Sequence, residues 1–310
     1  MKNKLFLLIL MIAGMLPAAS LFSQVTGLED DVRKQNADTI LGWKSGGKFG
    51  FTFSQSSFTN WIGGGENAIS GIGDLNLFLK KIGNHSAWEN TLQVRYGMQQ
   101  LKKEGLKKTD DYLTFTSKYG YKASKNWYYS VLATFTTQMT RGYSSDDANL
   151  MISNLMAPGY LFLSLGFDYK PNDNLSVFMA PLTSKSTFVL DKALSDSGAF
   201  GVTPGQSVRS EFGAYVKFFY KHEVIKNVTF QTRLNLFSNY LDKPQNVDVF
   251  WEVLFDMKIN KFLSANLLTN LYYDDNIHIP YDSNGDGIMD SKGPRIQFKE
   301  IFGLGINVSF

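Results

Sequence analysis

Between Trp88 and Met98, the apolar residues Leu92, Val94, Tyr96 and Met98 alternate with Thr91, Gln93, Arg95 and Gly97. Successive side chains of an extended strand point to opposite faces, so this period of two predicts a strand with one apolar and one polar face. The period returns in Leu113, Phe115, Tyr119 and Tyr121 against Thr114, Thr116, Lys118 and Lys122. It returns again in Val249, Trp251, Val253, Phe255 and Met257 against Phe250, Glu252, Asp256 and Lys258. A soluble β-sandwich would alternate too, with its apolar face inward, so the connections must separate the two cases.

Five short turns containing Lys and Asn (83–87, 123–126, 171–174, 222–227 and 260–261) alternate with longer, more acidic segments (102–111, 139–159, 188–209, 242–246 and 274–294). A further long-side connection surrounds Gly63, Gly64 and Gly65, read as a flexible hairpin tip. Six long and five short connections join twelve strands, at 48–60, 67–82, 88–101, 112–123, 127–138, 160–170, 175–187, 210–221, 228–241, 248–259, 263–273 and 295–310. The strand at 175–187 is the weakest because Pro181 cannot donate to a ladder, and ten or fourteen strands also fit the pattern. An even strand number, short turns on one side and long loops on the other match an all-β, transmembrane, antiparallel up-and-down barrel of the Gram-negative outer membrane. Most segments exceed the ~9 to 11 residues that cross a bilayer when tilted. The expected setting is outer-membrane lipid, with both termini periplasmic.

In the last strand Ile296, Phe298, Phe302, Leu304, Ile306, Val308 and Phe310 share one face, and the sequence stops at that aromatic. A terminal aromatic on an alternating strand resembles the signal read by barrel-assembly machinery, which makes that machinery an expected partner through the strand ending at Phe310. Trp88, Tyr121, Trp127 and Tyr169 stand beside turns, where interfacial aromatic girdles belong.

Composition adds compartment. Lys2 and Lys4 precede an apolar stretch from Leu5 to Leu16, then Pro17 and Ser23-Gln24, which predicts a secretory signal peptide over 1–23. A short periplasmic segment at 24–44 and a barrel over 45–310 follow. Aromatics reach 15%, and past the leader no apolar run approaches the roughly eighteen residues of a spanning helix. Without Lys2 and Lys4, 29 basic residues face 28 acidic ones, which gives no reason to expect nucleic-acid binding.

The same strand phase turns a mixed set of charges inward: Asp74, Glu89, Arg95, Lys118, Glu211, Lys217, Arg233, Glu252, Asp256, Lys258 and Lys299 are the candidate lumen-lining residues. Ionised groups there need water or opposite charges, so the interior is either a hydrated channel or a cross-linked polar filling. Inward Tyr128, Tyr215 and Phe219 make it narrow. The expectation is a non-enzymatic, narrow porin-like channel or a structural surface protein.

One loop carries oxygen donors at positions 1, 3, 5 and 9, namely Asp282, Asn284, Asp286 and Asp290, with Gly287 at position 6. Calcium favours that spacing. Gly293 replaces the bidentate Glu of an EF-hand and no helix pair flanks the loop. Its closer likeness is to the acidic calcium repeats of adhesive proteins, so Ca2+ at 282–290 is weighed against a plain acidic turn, and a surface-binding module using such loops is one alternative function. Another is a phospholipase-like hydrolase, with His278 and nearby Ser283 as the candidate pair, since His85 and His222 fall in predicted short turns. Gly63-Gly64-Gly65 lacks the Gly-Lys-Ser/Thr of a phosphate loop.

Several fragments carry a resemblance. They are Phe53 to Trp61 with Gly63 to Asn67, Trp88-Glu89-Asn90, Tyr96-Gly97, Lys108 to Asp111, Ser117 to Tyr121, Ala157-Pro158, Leu236 to Tyr240 and Tyr273-Asp274-Asp275. Together they resemble a Bacteroidota outer-membrane β-barrel family catalogued as a domain of unknown function, across nearly the whole mature chain. The resemblance implies location and fold, and brings no catalytic residues with it.

Overall fold

The computed structural model describes residues 41–56, 68–101, 105–144, 149–260, 263–284 and 290–309. The expected signal peptide, Gly63 to Gly65, Asp286 and Phe310 lie outside them. In chain order the elements are β1 (Gly42–Ser56), β2 (Ala68–Ile82), β3 (Ser86–Leu101), β4 (Gly105–Lys122), β5 (Trp127–Thr137), β6 (Gly142–Tyr143), β7 (Met151–Ser153), β8 (Gly159–Asn172) and β9 (Leu175–Phe188). Then come a helix α1 (Lys192–Asp196), a 3-10 turn (Ala199–Gly201), β10 (Val208–Ile225), β11 (Val228–Asn239), β12 (Val247–Lys258), β13 (Leu263–Tyr273), β14 (His278–Tyr281), β15 (Ser291–Pro294) and β16 (Gln297–Ser309).

Among these residues twelve strands, β1 to β5, β8 to β13 and β16, close into one barrel in which each strand pairs antiparallel with its neighbours. The seam is β1 against β16, with Lys48 opposite Ser309 and Phe53 opposite Leu304. Gly42 pairs with Ile82, so both ends of the barrel sequence lie on the short-turn side. β6–β7 and β14–β15 form separate hairpins within the long connections.

The two faces reverse the order of a soluble protein. Val131 is 48% exposed on the outer wall while Leu132, its neighbour, is 2% exposed inside. Phe49, Phe51 and Phe53 of β1 and Leu163, Leu165 and Phe167 of β8 are likewise exposed, whereas Thr114, Ser164, Asp168 and Arg233 are buried. An apolar outside and a polar inside suit a wall that meets lipid, with the main-chain ladder bonds made to neighbouring strands. Near the short turns the outer wall carries aromatic pairs: Trp43 and Trp88 have centroids 6.0 Å apart, Trp127 and Tyr169 4.8 Å. The Trp88 indole N–H donates to Ser117 Oγ at 2.9 Å, so its polar edge is satisfied without leaving the wall.

Four features depart from the expected segments. β4 begins at Gly105, so most of the predicted loop 102–111 is strand; the Lys107 to Asp111 polar run reads as a loop, but a bulge at Thr109 lets the ladder continue with its phase reset. β10 runs to Ile225, which makes His222 a strand residue, stacked 6.4 Å from Tyr220, and shortens the predicted turn 222–227 to two residues. β1 starts at Gly42, before the expected barrel boundary, because its ladder with β2 runs without a break from Gly42 opposite Ile82 to Ser56 opposite Ala68.

Finally, Pro181 does not interrupt β9. It sits at a bulge where inward positions change from Ser176, Phe178 and Ala180 to Thr183, Lys185 and Thr187. That kink presses backbone onto β8 at Gly166, where an added Cβ would lie 2.1 Å from Met179 O and 2.6 Å from Ala180 Cα. Gly166→Val is therefore expected to prevent barrel closure, seen as loss of the heat-modifiable band in mild-detergent electrophoresis. Gly73→Ala, where a Cβ meets open space, is expected to fold normally.

Candidate functional site

Every strand of the described barrel contributes at least one shielded inward residue. Lys80 of β2, Phe178 of β9, Phe219 of β10, Arg233 of β11 and Glu252 of β12 are all 1% exposed or less. Gln93, Thr114, Leu132, Ser164 and Leu268 are buried on their own strands, and Gly50 and Gly303 are buried at the seam. A core of Leu132, Phe178, Ala180, Tyr215 and Phe237, with Phe162 against it, fills one side. The interior is thus occupied by side chains at mid-height.

Ion pairs knit this filling together. Toward the short turns, Glu89 meets Lys80 at 3.0 Å and Lys170 at 3.8 Å, while Asp168 binds Lys118 and meets Lys170 at 3.3 Å. Ser176 Oγ donates to Asp168 at 3.0 Å. At mid-height Arg233 and Glu252 face each other at 4.0 Å, Asn270 donates to Glu252 at 3.1 Å, and the Arg233 guanidinium lies 5.9 Å over the Phe219 ring. Lys217 shares the inward face of Asn235, opposite it across the ladder, Asp74 accepts from Asn76, and Asp256 lies part-buried on the inward face. Lys258 is exposed at its strand end.

Toward the long loops, Asp110 receives Lys299 at 2.7 Å and Arg95 at 3.7 Å. Asp111 accepts from Met139 N, Thr140 N and Thr140 Oγ1 at 2.8 to 2.9 Å and pairs with Lys108 at 2.8 Å, which ties the 138–140 segment to the barrel. Across the mouth Lys185 is surrounded by Asp248 at 2.6 Å, Asp274 at 3.2 Å and Glu211 at 3.4 Å, and Arg209 meets Glu211 at 3.0 Å. Burial works against the charge on Asp274, but the Lys185 ammonium and the Asn276 N–H hold its carboxyl below the usual range. Beside this cluster lies a cavity of about 70 Å³ lined by Tyr160, Phe162, Tyr215, Phe237, Phe250 and Tyr272, together with Lys185 and Asp248.

The long connections pack on one another above it. Ala157, Val189, Leu194 and Val202 form a second apolar core, and Leu190 N donates to Met156 O at 2.9 Å. Asp191 caps α1, accepting from Ala193 N at 3.1 Å and Leu194 N at 3.3 Å, and it also accepts from Asn154 Nδ2 at 3.1 Å. Gly201, at φ +76°, lets this segment approach Asn276 O, which an added Cβ would meet at 2.9 Å.

The acidic loop is the tip of the β14–β15 hairpin. Both Asp290 oxygens accept from Ser283, at 2.9 Å from its N–H and 2.8 Å from its hydroxyl, and Asn284 N donates to Asp282 at 3.0 Å. Asp286 is outside the described residues, and among those described no three His, Cys, Asp or Glu side chains converge as a metal site. His278 opens β14 opposite Pro294, whereas Ser283 lies past its far end. Five residues of extended chain separate them by on the order of 15 Å, so they form no catalytic pair.

The Asn154 amide, then the Leu194 and Ala193 N–H groups, hold the Asp191 carboxyl below its ordinary value. Its contribution is therefore complete above the ordinary carboxylate range and is lost as pH falls through the depressed value. Asp191→Ala is expected to cost about 1 kcal/mol of local stability. In hydrogen exchange, the wild-type protection of Ala193 and Leu194 should fall with acid, and in the variant it should be low at every pH.

Residues 53–143 match the model of a family described as "Protein of unknown function (DUF3078)". The fragments from Phe53 through Tyr121 lie within that stretch, and those at Ala157, Leu236 and Tyr273 lie beyond it. No curated protein matches the sequence. Among solved structures, the COG4313 outer membrane channel from Pseudomonas putida F1 is 13% identical, with 93% of this chain and 100% of that chain covered and a TM-score of 0.43. The translocator domain of the autotransporter NalP from Neisseria meningitidis is 9% identical, covering 89% and 92%, at 0.38. The Pseudomonas putida toluene transporter TodX is 10% identical, covering 93% and 94%, at 0.34. Among its described residues the chain is a closed antiparallel β-barrel, and over residues 53–143 it is similar to a family of unknown function.

Proposed function

We propose that this protein is a non-enzymatic outer-membrane barrel, porin-like in build but shut at rest, with its termini in the periplasm and its long loops outside. The observation that carries this reading is the filled interior: ten of the twelve strands contribute a shielded inward side chain, the two seam strands contribute buried glycines, and inward charges are paired with one another. A buried ionised group is tolerated when it is paired and hydrogen-bonded, and here the pairs run from the short turns to the loop mouth. The short-turn side, with its Trp43–Trp88 and Trp127–Tyr169 pairs, supports placement of that end at one membrane interface. The alternation of Phe298, Phe302, Leu304 and Ile306, all exposed on the outer wall, supports assembly through the last strand.

Planar-bilayer recording on the purified full chain tests the closure. The unaltered barrel is expected to be electrically silent. Phe178→Ala combined with Phe219→Ala, which removes two shielded inward rings, is expected to give discrete conductance steps. Steady open-channel steps from the unaltered protein would overturn the reading.

A further inference from the structure

Six aromatic rings, those of Tyr160, Phe162, Tyr215, Phe237, Phe250 and Tyr272, wall the cavity in the loop-side half of the barrel. The faces of such rings carry negative potential, and their attraction for a cation grows when water is kept away. The chain's own ammonium illustrates this: Lys185 Nζ lies 5.1 Å from the Phe237 centroid while three carboxylates surround it. Asp248, Asp274 and Glu211 against Lys185 and Arg209 leave one negative charge in excess.

A second, smaller cavity carries the same sign toward the loop mouth. It shares Asp248 with the first and is lined by Glu211, Asp242 and Asp275, with Lys243 as its one cation among the lining residues. An acidic approach of this kind concentrates cations before they reach the aromatic walls. At about 70 Å³, with a water needing roughly 10–15 Å³, the inner cavity holds about five heavy atoms.

We propose that this chamber binds a small organic cation of the alkylammonium class, which enters past Asp242 and Asp275 and rests on the aromatic walls with Asp248 as its counter-charge. A neutral solute of the same size would gain the contacts without the charge term, and an anion would face the negative faces of the rings and the net negative charge of the adjoining cluster. The proposal depends on the lining of the chamber and not on whether the barrel conducts, so bilayer silence or conductance leaves it untouched.

Refolded full chain in a non-ionic detergent, titrated with tetramethylammonium chloride and separately with tert-butanol, tests it by ligand-observed NMR and calorimetry. These probes have equal heavy-atom counts and differ in charge. Tetramethylammonium is expected to bind at least about tenfold more tightly than tert-butanol. Asp248→Asn, checked for heat-modifiable folding, is expected to remove most of that preference. Equal affinities in the unaltered protein, no binding of tetramethylammonium, or an undiminished preference in folded Asp248→Asn would each overturn the proposal. Should that variant not fold, the comparison of the two probes on the unaltered chain decides alone.

Discussion

The closed ladder is the constraint from which the rest follows. A main-chain N–H or C=O facing hydrocarbon has no water to turn to, so a sheet in lipid must leave no edge. Here the β1–β16 seam removes the last edge. Once the sheet closes, period-two alternation allows only one inside, and whatever is polar on each strand must be accommodated there together. Glu89–Lys80 and Glu252–Arg233 are cross-strand neighbours within a hairpin, whereas Lys118–Asp168 skips a strand and Asp110–Lys299 spans from β4 to β16, so this last pair is a consequence of closure.

The interior is not uniform along its axis. Its short-turn half gathers Lys80, Lys118 and Lys170 around two carboxylates, its middle holds the cross-strand pair Arg233 and Glu252, and its loop half gathers three carboxylates around Lys185 and Arg209. Above that half, the apolar contacts of Ala157, Val189, Leu194 and Val202 make the long connections a packed layer. The polar clamp at Asp111 and the cap at Asp191 fix the two ends of that layer to barrel and helix respectively.

The barrel, its twelve strands and most of its strand limits were legible because each depends on local alternation, which survives reading one residue at a time. Which face of a regular strand is the polar one was legible for the same reason, as in β3 and β12. What escaped was phase and register. Lys185 falls on the lipid side if β9 alternates without interruption, and Asp110 and Lys108 sit in a polar run that reads as a loop until the bulge at Thr109 is allowed. Lys80 precedes Lys81 at a turn, with nothing local to say which of the two points inward. Asp168 and Lys170 likewise flank a turn, and their meeting with Lys118 requires knowledge of how β4, β5 and β8 align. Pairing between distant strands is a property of the closed sheet and has no signature in any one segment.

The bulge at Pro181 also sets how the gene can change length. In a regular strand, losing or gaining one residue exchanges the lipid and lumen faces for everything beyond it. At Pro181-Leu182 the strand already holds one residue more than its neighbours require, so a single-codon deletion at that point would leave a plain strand with Thr183, Lys185 and Thr187 still facing inward. The same deletion elsewhere in β9 would send a charged residue toward hydrocarbon or an apolar one into the ion cluster. Tolerance to a one-residue deletion, usually a property of loops, is within β9 carried by its bulge.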